Sequence, residues 1–129
     1  MSADIVIDRL FEALVAGDRP TARAVVAEQA KAGAAPERLH TDLFWPTYEL
    51  VDRLFRDDQL STLAHNCATR LLRVLVDQNA RDLIAQPPEA PTERSVFAAC
   101  GPSEGSELGA QIAVDILEAS GFQVRFAGG

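Results

Sequence analysis

The chain has 129 residues, 47% of them hydrophobic and 24% charged, which is typical of a folded globular protein and too apolar for a disordered one. Its 19 acidic residues outnumber its 12 basic residues, and the formal net charge of -7 opposes binding to a nucleic-acid backbone. No apolar run approaches the roughly 20 residues of a membrane-spanning helix, and the N-terminus lacks a signal-peptide pattern. We therefore expect a cytoplasmic protein without nucleic-acid or membrane partners.

Two amphipathic helices are predicted at the start of the chain. The first covers about residues 4–16, where apolar residues recur at helical spacing, and Gly17 follows where a C-terminal cap belongs. Asp18 can cap the second helix, and Pro20 is tolerated in a first turn. The second helix is predicted to end at about Ala32.

Two more helices are predicted before the proline-rich segment. A third helical stretch opens at Pro36, and a kink or short break is expected near Phe44 because Pro46 interrupts it. Ser61 can cap a fourth helix. The predicted apolar stripe of this helix consists of Leu63, Cys67, Leu71, Val74, Leu75 and Leu83. Four helices joined by short turns predict a four-helix bundle over residues 1–86.

The remainder of the chain predicts a different architecture. Residues 87–94 contain three prolines and are predicted to form a semi-rigid linker. A continuously apolar strand at 95–99, a helix at about 107–120 and a strand at 123–127 predict a parallel β-α-β unit. Because two parallel strands cannot cover both faces of a sheet, we expect residues 95–129 to be the truncated N-terminal part of an α/β domain, or to be completed by a second copy.

Several side chains receive structural assignments. Cys67 and Cys100 lack metal-type spacing and are expected to be two semi-buried thiols. His40 is expected to be a satisfied surface or core histidine. Trp45 and Tyr48 are expected to pack the bundle, because aromatic residues at helical spacing usually build a core.

Two patterns bear on function. In the helical part, Phe55 is separated by nine residues from His65 and Asn66, and Thr69 follows one turn later. After the first predicted strand comes Glu104-Gly105-Ser106-Glu107-Leu108-Gly109. With a helical bundle, a linker and a β-α-β beginning in this order, the chain resembles the cobalamin-binding modules of methionine synthase, corrinoid proteins and B12-dependent photoreceptor regulators.

The resemblance implies that the bundle is a cap over one face of a corrin ring, and that residues 95–129 begin a Rossmann-like, flavodoxin-like B12-binding domain. In the photoreceptor regulators the cap pattern is W-x9-EH, and this chain has Phe55, His65 and Asn66 at those positions. Phe55 can still provide an aromatic lid. His65 is the predicted metal ligand, the alternative being a partly exposed helix histidine. Asn66 can hydrogen-bond an upper ligand, but it cannot act as an acid or base.

The second pattern departs from the family at its central position. The family's D/E-x-H-x-x-G supplies a histidine to the cobalt from below, and the chain keeps Glu104 and Gly109 but has Ser106 in place of the histidine. A bound corrinoid would then keep its own base or take water at that position. If none binds, Gly105 and Ser106 form a loop-to-helix cap. The predicted cofactor-binding residues are Phe55, His65, Asn66, Thr69, Glu104, Ser106 and Gly109.

The function implied by the resemblance is a cobalamin-binding, or cobalamin-binding-derived, sensory and regulatory module that is not an enzyme. One alternative is a corrinoid methyl carrier for a methyltransferase. Another is a decayed module that acts only in protein association, which the loss of both motif histidines favours. Haem or another tetrapyrrole held by His65 is a further possibility. A nucleotide site in the loop at 101–106 is disfavoured, because the loop lacks G-x-G-x-x-G and the P-loop lysine.

The expected partners are a corrinoid ligand and, in a homo-oligomer, a second copy of the chain. In the family, contacts to the cofactor's nucleotide tail lie beyond the second strand. We therefore expect these 129 residues alone to bind cobalamin weakly or not at all.

Overall fold

The computed structural model of the protein describes residues 2–85, 88 and 93–128. Its first elements are α1 (Ala3–Val15), α2 (Arg19–Lys31), α3 (Pro36–Arg38), a π-helix (Leu39–Phe44), α4 (Trp45–Arg56) and α5 (Thr62–Ala85), which together we call the helical region. The C-terminal unit consists of β1 (Ser95–Ala98), α6 (Glu104–Ala119) and β2 (Gln123–Phe126). The described part of the chain is mainly helical with a small two-stranded parallel sheet, as the sequence predicts at that level.

The first two helices follow their sequence signals closely. Gly17 has a φ of 67° just after α1, in the left-handed region that glycine adopts without strain. The Asp18 carboxylate caps α2 by accepting from the Thr21 backbone N–H at 3.2 Å and from the Thr21 hydroxyl at 2.7 Å. Both predicted boundaries are confirmed to within a residue or two.

The irregularity expected before Pro46 is a π-helix rather than a kink. A proline at this position has no N–H to donate, and its ring would collide with the Asp42 carbonyl in a regular α-helix. The wider π turn avoids this, and the Trp45 N–H bonds to the carbonyl of His40, five residues earlier. The Thr47 hydroxyl donates to the Leu43 carbonyl at 2.7 Å. Pro46 itself then lies in the first turn of α4, where it costs little.

Helix α5 begins as predicted but buries a different face. The Ser61 hydroxyl accepts from the Ala64 N–H at 3.1 Å, which confirms the cap. Leu63 and Val74 were expected in the apolar stripe, but they are 74% and 38% exposed. The buried residues are Ala68, Thr69, Leu71, Leu72, Leu75, Val76, Asn79 and Leu83. The stripe prediction was wrong for Leu63 and Val74, because the buried face of α5 includes the small residue Ala68 and the polar residues Thr69 and Asn79.

One core joins the helical region to the C-terminal unit. Helix α1 packs against α2, α4 and α5, and α5 packs in turn against α6. Leu108 and Ile112 of α6 belong to the same buried cluster as Leu10 of α1 and Leu72 of α5. Helix α6 is therefore fixed directly on the helical region, and their contact positions the candidate site.

The C-terminal unit presents one sheet face to α6. The strands pair in parallel, with Val96 opposite Val124, and alternate between exposed and half-buried residues. Phe97 is 72% exposed on the face opposite α6, so the two strands leave one sheet face uncovered, as expected for a sheet of this size. The predicted linker at 87–94 lies outside the described residues except for Pro88, Glu93 and Arg94.

Candidate functional site

The candidate site lies along the contact between α6 and the helical region, which we call the α6 seam. Three residues of α6 mark its length: Gly105 near the start, Gly109 one turn later and Asp115 towards the end. Each faces a different part of the helical region. The seam therefore has an N-terminal end at Gly105 and a C-terminal end at Asp115.

At the N-terminal end, Phe55 and His65 form a stacked pair. Their ring centroids are 3.8 Å apart and their planes differ by 15°. The turn after α4, in which Asp58 has a φ of 56°, brings the end of α4 back towards the start of α5. Both side chains are half-buried. Two predicted site residues are thus in direct contact.

The same pair lies against the first turn of α6. A Cβ placed on Gly105 would be 3.8 Å from Nε2 of His65. Within residues 2–85 and 93–128, no hydrogen bond to the His65 ring is present. The structure therefore brings the helical-region pattern next to the pattern after β1, as the resemblance implies, with a half-buried imidazole between them.

The first turn of α6 uses Ser103 as its cap. The Ser103 hydroxyl accepts from the Ser106 N–H at 3.0 Å and donates to the Ser106 hydroxyl at 2.9 Å. Because Ser103 is the cap, α6 begins at Glu104 rather than near residue 107. Gly105 and Ser106, which the sequence suggested as the cap, lie inside the first turn. Ser106 is thus engaged within the cap, while Glu104 is exposed.

The remaining predicted site residues are spread out. Asn66 is exposed although its neighbour His65 faces α6, because adjacent helix residues point in different directions. Thr69 is buried at 5% exposure, and Gly109 is buried one turn along α6. Their predicted roles in cofactor binding stay predictions.

The middle of the seam is a close contact between Tyr48 and Gly109. A Cβ on Gly109 would lie 2.7 Å from the Tyr48 ring, so the position accepts only glycine without movement. Burial raises the pKa of the Tyr48 phenol, with a further contribution from the Asp52 carboxylate. The Tyr48 ring lies 5.3 Å from the Trp45 ring. Trp45 is 38% exposed, so it packs at the edge of the helical region and lies outside the buried core.

At the C-terminal end, His40 is the centre of a buried polar network. It is 0% exposed, and its Nε2 lies 2.9 Å from Oδ2 of Asp115, itself 7% exposed. Its Nδ1 lies 2.8 Å from Nδ2 of Asn79, which also donates to the Pro36 carbonyl at 2.8 Å. The Gln111 amide donates to the other Asp115 oxygen at 2.7 Å. The network joins α6, α5 and the π-helix.

The hydrogen bonds fix the tautomer of His40. The Asn79 side-chain atom next to the Pro36 carbonyl must be the NH2 group, because a carbonyl oxygen can only accept. The same NH2 group faces Nδ1 of His40, so Nδ1 accepts and the ring proton is assigned to Nε2. The N–H at Nε2 then donates to Asp115. Because both ring nitrogens are engaged, His40 has no free nitrogen for a substrate, a metal or proton transfer. The network is structural in its present form.

Sequence reasoning missed this network. His40 lies in an apolar stretch with Leu39, Leu43 and Phe44, which was the available signal for burial. Its partner Asp115 is 75 residues away in the sequence, so the pairing could not be anticipated from spacing. Beside the network, a groove of about 410 Å³ lies between the π-helix and α6, with Trp45 and Ile112 among its walls.

The remaining candidates for metal chemistry are few. Cys67 and Cys100 are free and half-buried, as expected. Among the described residues, no group of three or more His, Cys, Asp and Glu side chains is placed to hold a metal ion. The predicted metal role of His65 stays a prediction. In the described segments, no helix combines the length and apolar character needed to cross a membrane.

Comparison with known proteins bears on the helical region. A family model described as B12 binding domain matches residues 6–83, from α1 to near the end of α5. The match includes Phe55, His65, Asn66 and Thr69 and ends before the pattern at 104–109. No curated protein shows significant similarity to the chain.

Proposed function

The chain belongs to the B12 binding domain family, and we propose on that premise that it is a cobalamin-binding sensory or regulatory module. In this proposal the helical region is a four-helix cap, and the C-terminal unit is the start of a Rossmann-like B12-binding domain. The corrin would lie at the N-terminal end of the α6 seam. The observation that carries the proposal is the convergence of the Phe55–His65 pair and the first turn of α6.

The side chains present fit a corrinoid that carries its own lower base. The half-buried Phe55 ring offers an apolar surface to a flat macrocycle, and the His65 imidazole adds a neutral nitrogen ligand or hydrogen-bonding group. Ser106 is a poor cobalt ligand and is already bonded to Ser103. Phe55 and His65 would therefore hold one face of the cofactor, and Ser106 would supply no metal ligand.

The space at the N-terminal end must widen to admit the ring. The gap between His65 and the backbone of Gly105 is narrow, because a Cβ placed on Gly105 would lie only 3.8 Å from Nε2. A flat ring between two surfaces needs about 3.5–4 Å on each side. Binding between these surfaces would thus separate α6 from His65 by about one ring thickness.

Each residue would have a distinct part in the site. Cobalamin, when bound, supplies a cobalt centre with an exchangeable upper ligand. Phe55 would cover the ring and exclude water, and His65 would hydrogen-bond the upper ligand or coordinate in its place. Loss or exchange of the cofactor's upper ligand beside His65 would alter the packing of α6 on the helical region. That packing change is the proposed regulatory signal.

A second candidate is a module that acts only in protein association. It is favoured by the narrow gap between His65 and the backbone of Gly105 and by the use of Ser106 within the helix cap. A corrinoid methyl carrier is less well supported, because cobalt that shuttles between oxidation states needs a tuned lower ligand and Ser106 provides none.

The proposal is tested by equilibrium dialysis of the purified chain against hydroxocobalamin and, in the dark, adenosylcobalamin. Binding is expected to be weak, because the family's contacts to the nucleotide tail lie beyond the second strand, so we expect a modest excess of colour on the protein side at high protein concentration, with a visible spectrum that changes when His65→Ala is used. Leu63→Ala, an exposed residue one half-turn earlier on α5, is the matched control and should bind as the wild type does. Equal cobalamin on both sides of the membrane at that protein concentration, with folded protein, would contradict even weak binding and favour the association module.

A further inference from the structure

We propose that α6 is hinged on the helical region: it is anchored at Asp115 by the His40 network and opens at Gly105, away from His65. This inference concerns the movement of the helix and not the ligand, although the proposed function rests on the same cleft. It follows from the different bonding at the two ends of the α6 seam.

The anchor is the buried network at the C-terminal end. His40 is fully buried, and Asp115 accepts from both His40 and Gln111 at 2.9 and 2.7 Å. Asn79 holds the other side of the imidazole and ties it to the Pro36 carbonyl. Separating α6 here would leave a buried carboxylate without its partner, which is among the most costly changes in a protein interior.

The N-terminal end has no comparable tie among the described residues. Among the residues that the structure describes, the His65 ring makes no hydrogen bond to Gly105, and its Nε2 lies 3.8 Å from the point where a Cβ of residue 105 would be. The ion pair between Arg73 and Glu107 has a long separation of 3.4 Å and is 39% and 36% exposed at its two side chains. Partly exposed pairs of this kind hold weakly. Solvent can thus replace what is lost when this end separates.

The length of α6 converts a small tilt into a useful opening. Gly105 and Asp115 are ten residues apart, so about 15 Å of helix separates them at 1.5 Å per residue. A tilt of about 15° around Asp115 would move Gly105 by about 4 Å, which is the thickness that a flat ring needs. A rigid rotation without loss of helical bonds is therefore sufficient.

Apolar contacts keep the closed state dominant. Leu108 is buried next to Gly109, and the Tyr48 ring fits against the bare backbone of that glycine. Opening would expose part of both, so the open state is a minor population that a ligand or a wedge at Gly109 can raise. Gly109→Ala is such a wedge, because its Cβ would meet the Tyr48 ring at 2.7 Å.

The solvent accessibility of each end of the α6 seam can be measured at a histidine. It has two histidines, His40 at the anchor and His65 at the opening end. Diethyl pyrocarbonate modifies accessible neutral imidazole nitrogens, and peptide mapping gives a rate for each histidine. We expect His65 to be modified readily in the wild type and His40 to be protected, because exchange of buried groups with solvent follows their opening.

Two variants separate a hinge from other movements. Gly109→Ala should raise the rate at His65 severalfold and leave His40 protected. Asp115→Asn should raise the rate at His40 by on the order of a hundredfold, the factor that corresponds to the loss of hydrogen bonds to a buried carboxylate. Asp77→Asn removes an exposed carboxylate from α5 and is the matched control, with both rates unchanged. Far-UV circular dichroism verifies that each variant is folded.

Two results would overturn the hinge. If Gly109→Ala raises the rates at both histidines equally, α6 leaves as a whole; if it raises neither, the N-terminal end does not open. Should Asp115→Asn fail to fold, Gln111→Leu removes one donor from the Asp115 carboxylate and should raise the His40 rate by a smaller factor. An unchanged His40 rate in that folded variant would contradict the anchor. No cobalamin is used, so the hinge and the proposed function can fail independently.

Discussion

The two ends of the α6 seam differ in how they are held. At Asp115 the contact is buried and every polar group shown there has a partner, whereas at Gly105 it consists of a half-exposed aromatic pair against bare backbone. The end that carries the family-like residues is the end with fewer bonds. In our proposal, one end fixes the position of α6 and the other end can separate to admit a ligand.

The largest expected effect comes from the anchored end. Asp115→Asn leaves an amide that cannot accept from both His40 and Gln111, and the loss of hydrogen bonds to a buried carboxylate should cost about 3 kcal/mol of unfolding free energy. Urea denaturation followed by circular dichroism measures the loss. Asp77→Asn should unfold at the wild-type midpoint, since Asp77 is exposed. Equal midpoints for the two variants would remove the distinction between the ends of the seam.

A smaller effect is expected in the middle of the seam. Gly109→Ala forces the Tyr48 ring to move and should cost about 1–3 kcal/mol, the usual range for overpacking. Gly105→Ala is the comparison, because its Cβ would make only ordinary contact at 3.8 Å and alanine favours helix. We expect Gly105→Ala to be neutral or slightly stabilising in the same denaturation assay. A reversal of this order would mean that the closed contact at Gly109 is not maintained in solution.

The stacked pair at the N-terminal end should contribute less than a buried aromatic residue. Phe55 is half-buried, so Phe55→Ala should cost about 1–2 kcal/mol, less than the roughly 3–5 kcal/mol of a fully buried phenylalanine. The control is Phe44→Ala in the π-helix, where the ring is 0% exposed. Thermal denaturation ranks the two, and a Phe55→Ala loss as large as that of Phe44→Ala would show that the N-terminal end is also an anchor.

The smallest effect is a pH dependence that arises from Tyr48. Its folded-state pKa is raised by burial, so the folded protein retains the phenol proton more strongly than the unfolded chain does. The resulting stability is fully present below the unfolded pKa of about 10 and declines as the pH rises towards the folded pKa. Tyr48→Phe should remove this decline, and absorbance titration of the single tyrosine gives its pKa directly. A value at or below that of the denatured chain would contradict burial at the seam.

Local signals in the sequence were sufficient for most element boundaries. Asp18 and Ser61 correctly indicated where α2 and α5 begin, because a capping side chain bonds to a backbone N–H only three residues away. Pro46 indicated that the helix would be irregular before it. The sequence did not indicate a π-helix, because the type of irregularity depends on how Leu43 and Phe44 pack. The start of α6 was missed by three residues because Ser103 had not been considered as its cap.

The candidate site likewise contains a part that the sequence predicted and a part that it did not. Phe55 and His65 were identified through a resemblance, and their stacking follows from a short turn that sequence can anticipate. The bond between His40 and Asp115 could not be found, because tertiary packing across 75 residues leaves no spacing signature. The contact of Tyr48 with Gly109 was hidden for the same reason.

The most direct test modifies both histidines with diethyl pyrocarbonate in the presence and absence of saturating hydroxocobalamin. The account predicts that cobalamin slows modification of His65, which it would cover, and leaves His40 protected at the anchor. If the chain retains cobalamin and the rate at His65 is unchanged, or if His40 becomes reactive, the cofactor does not bind at the Gly105 end of the seam.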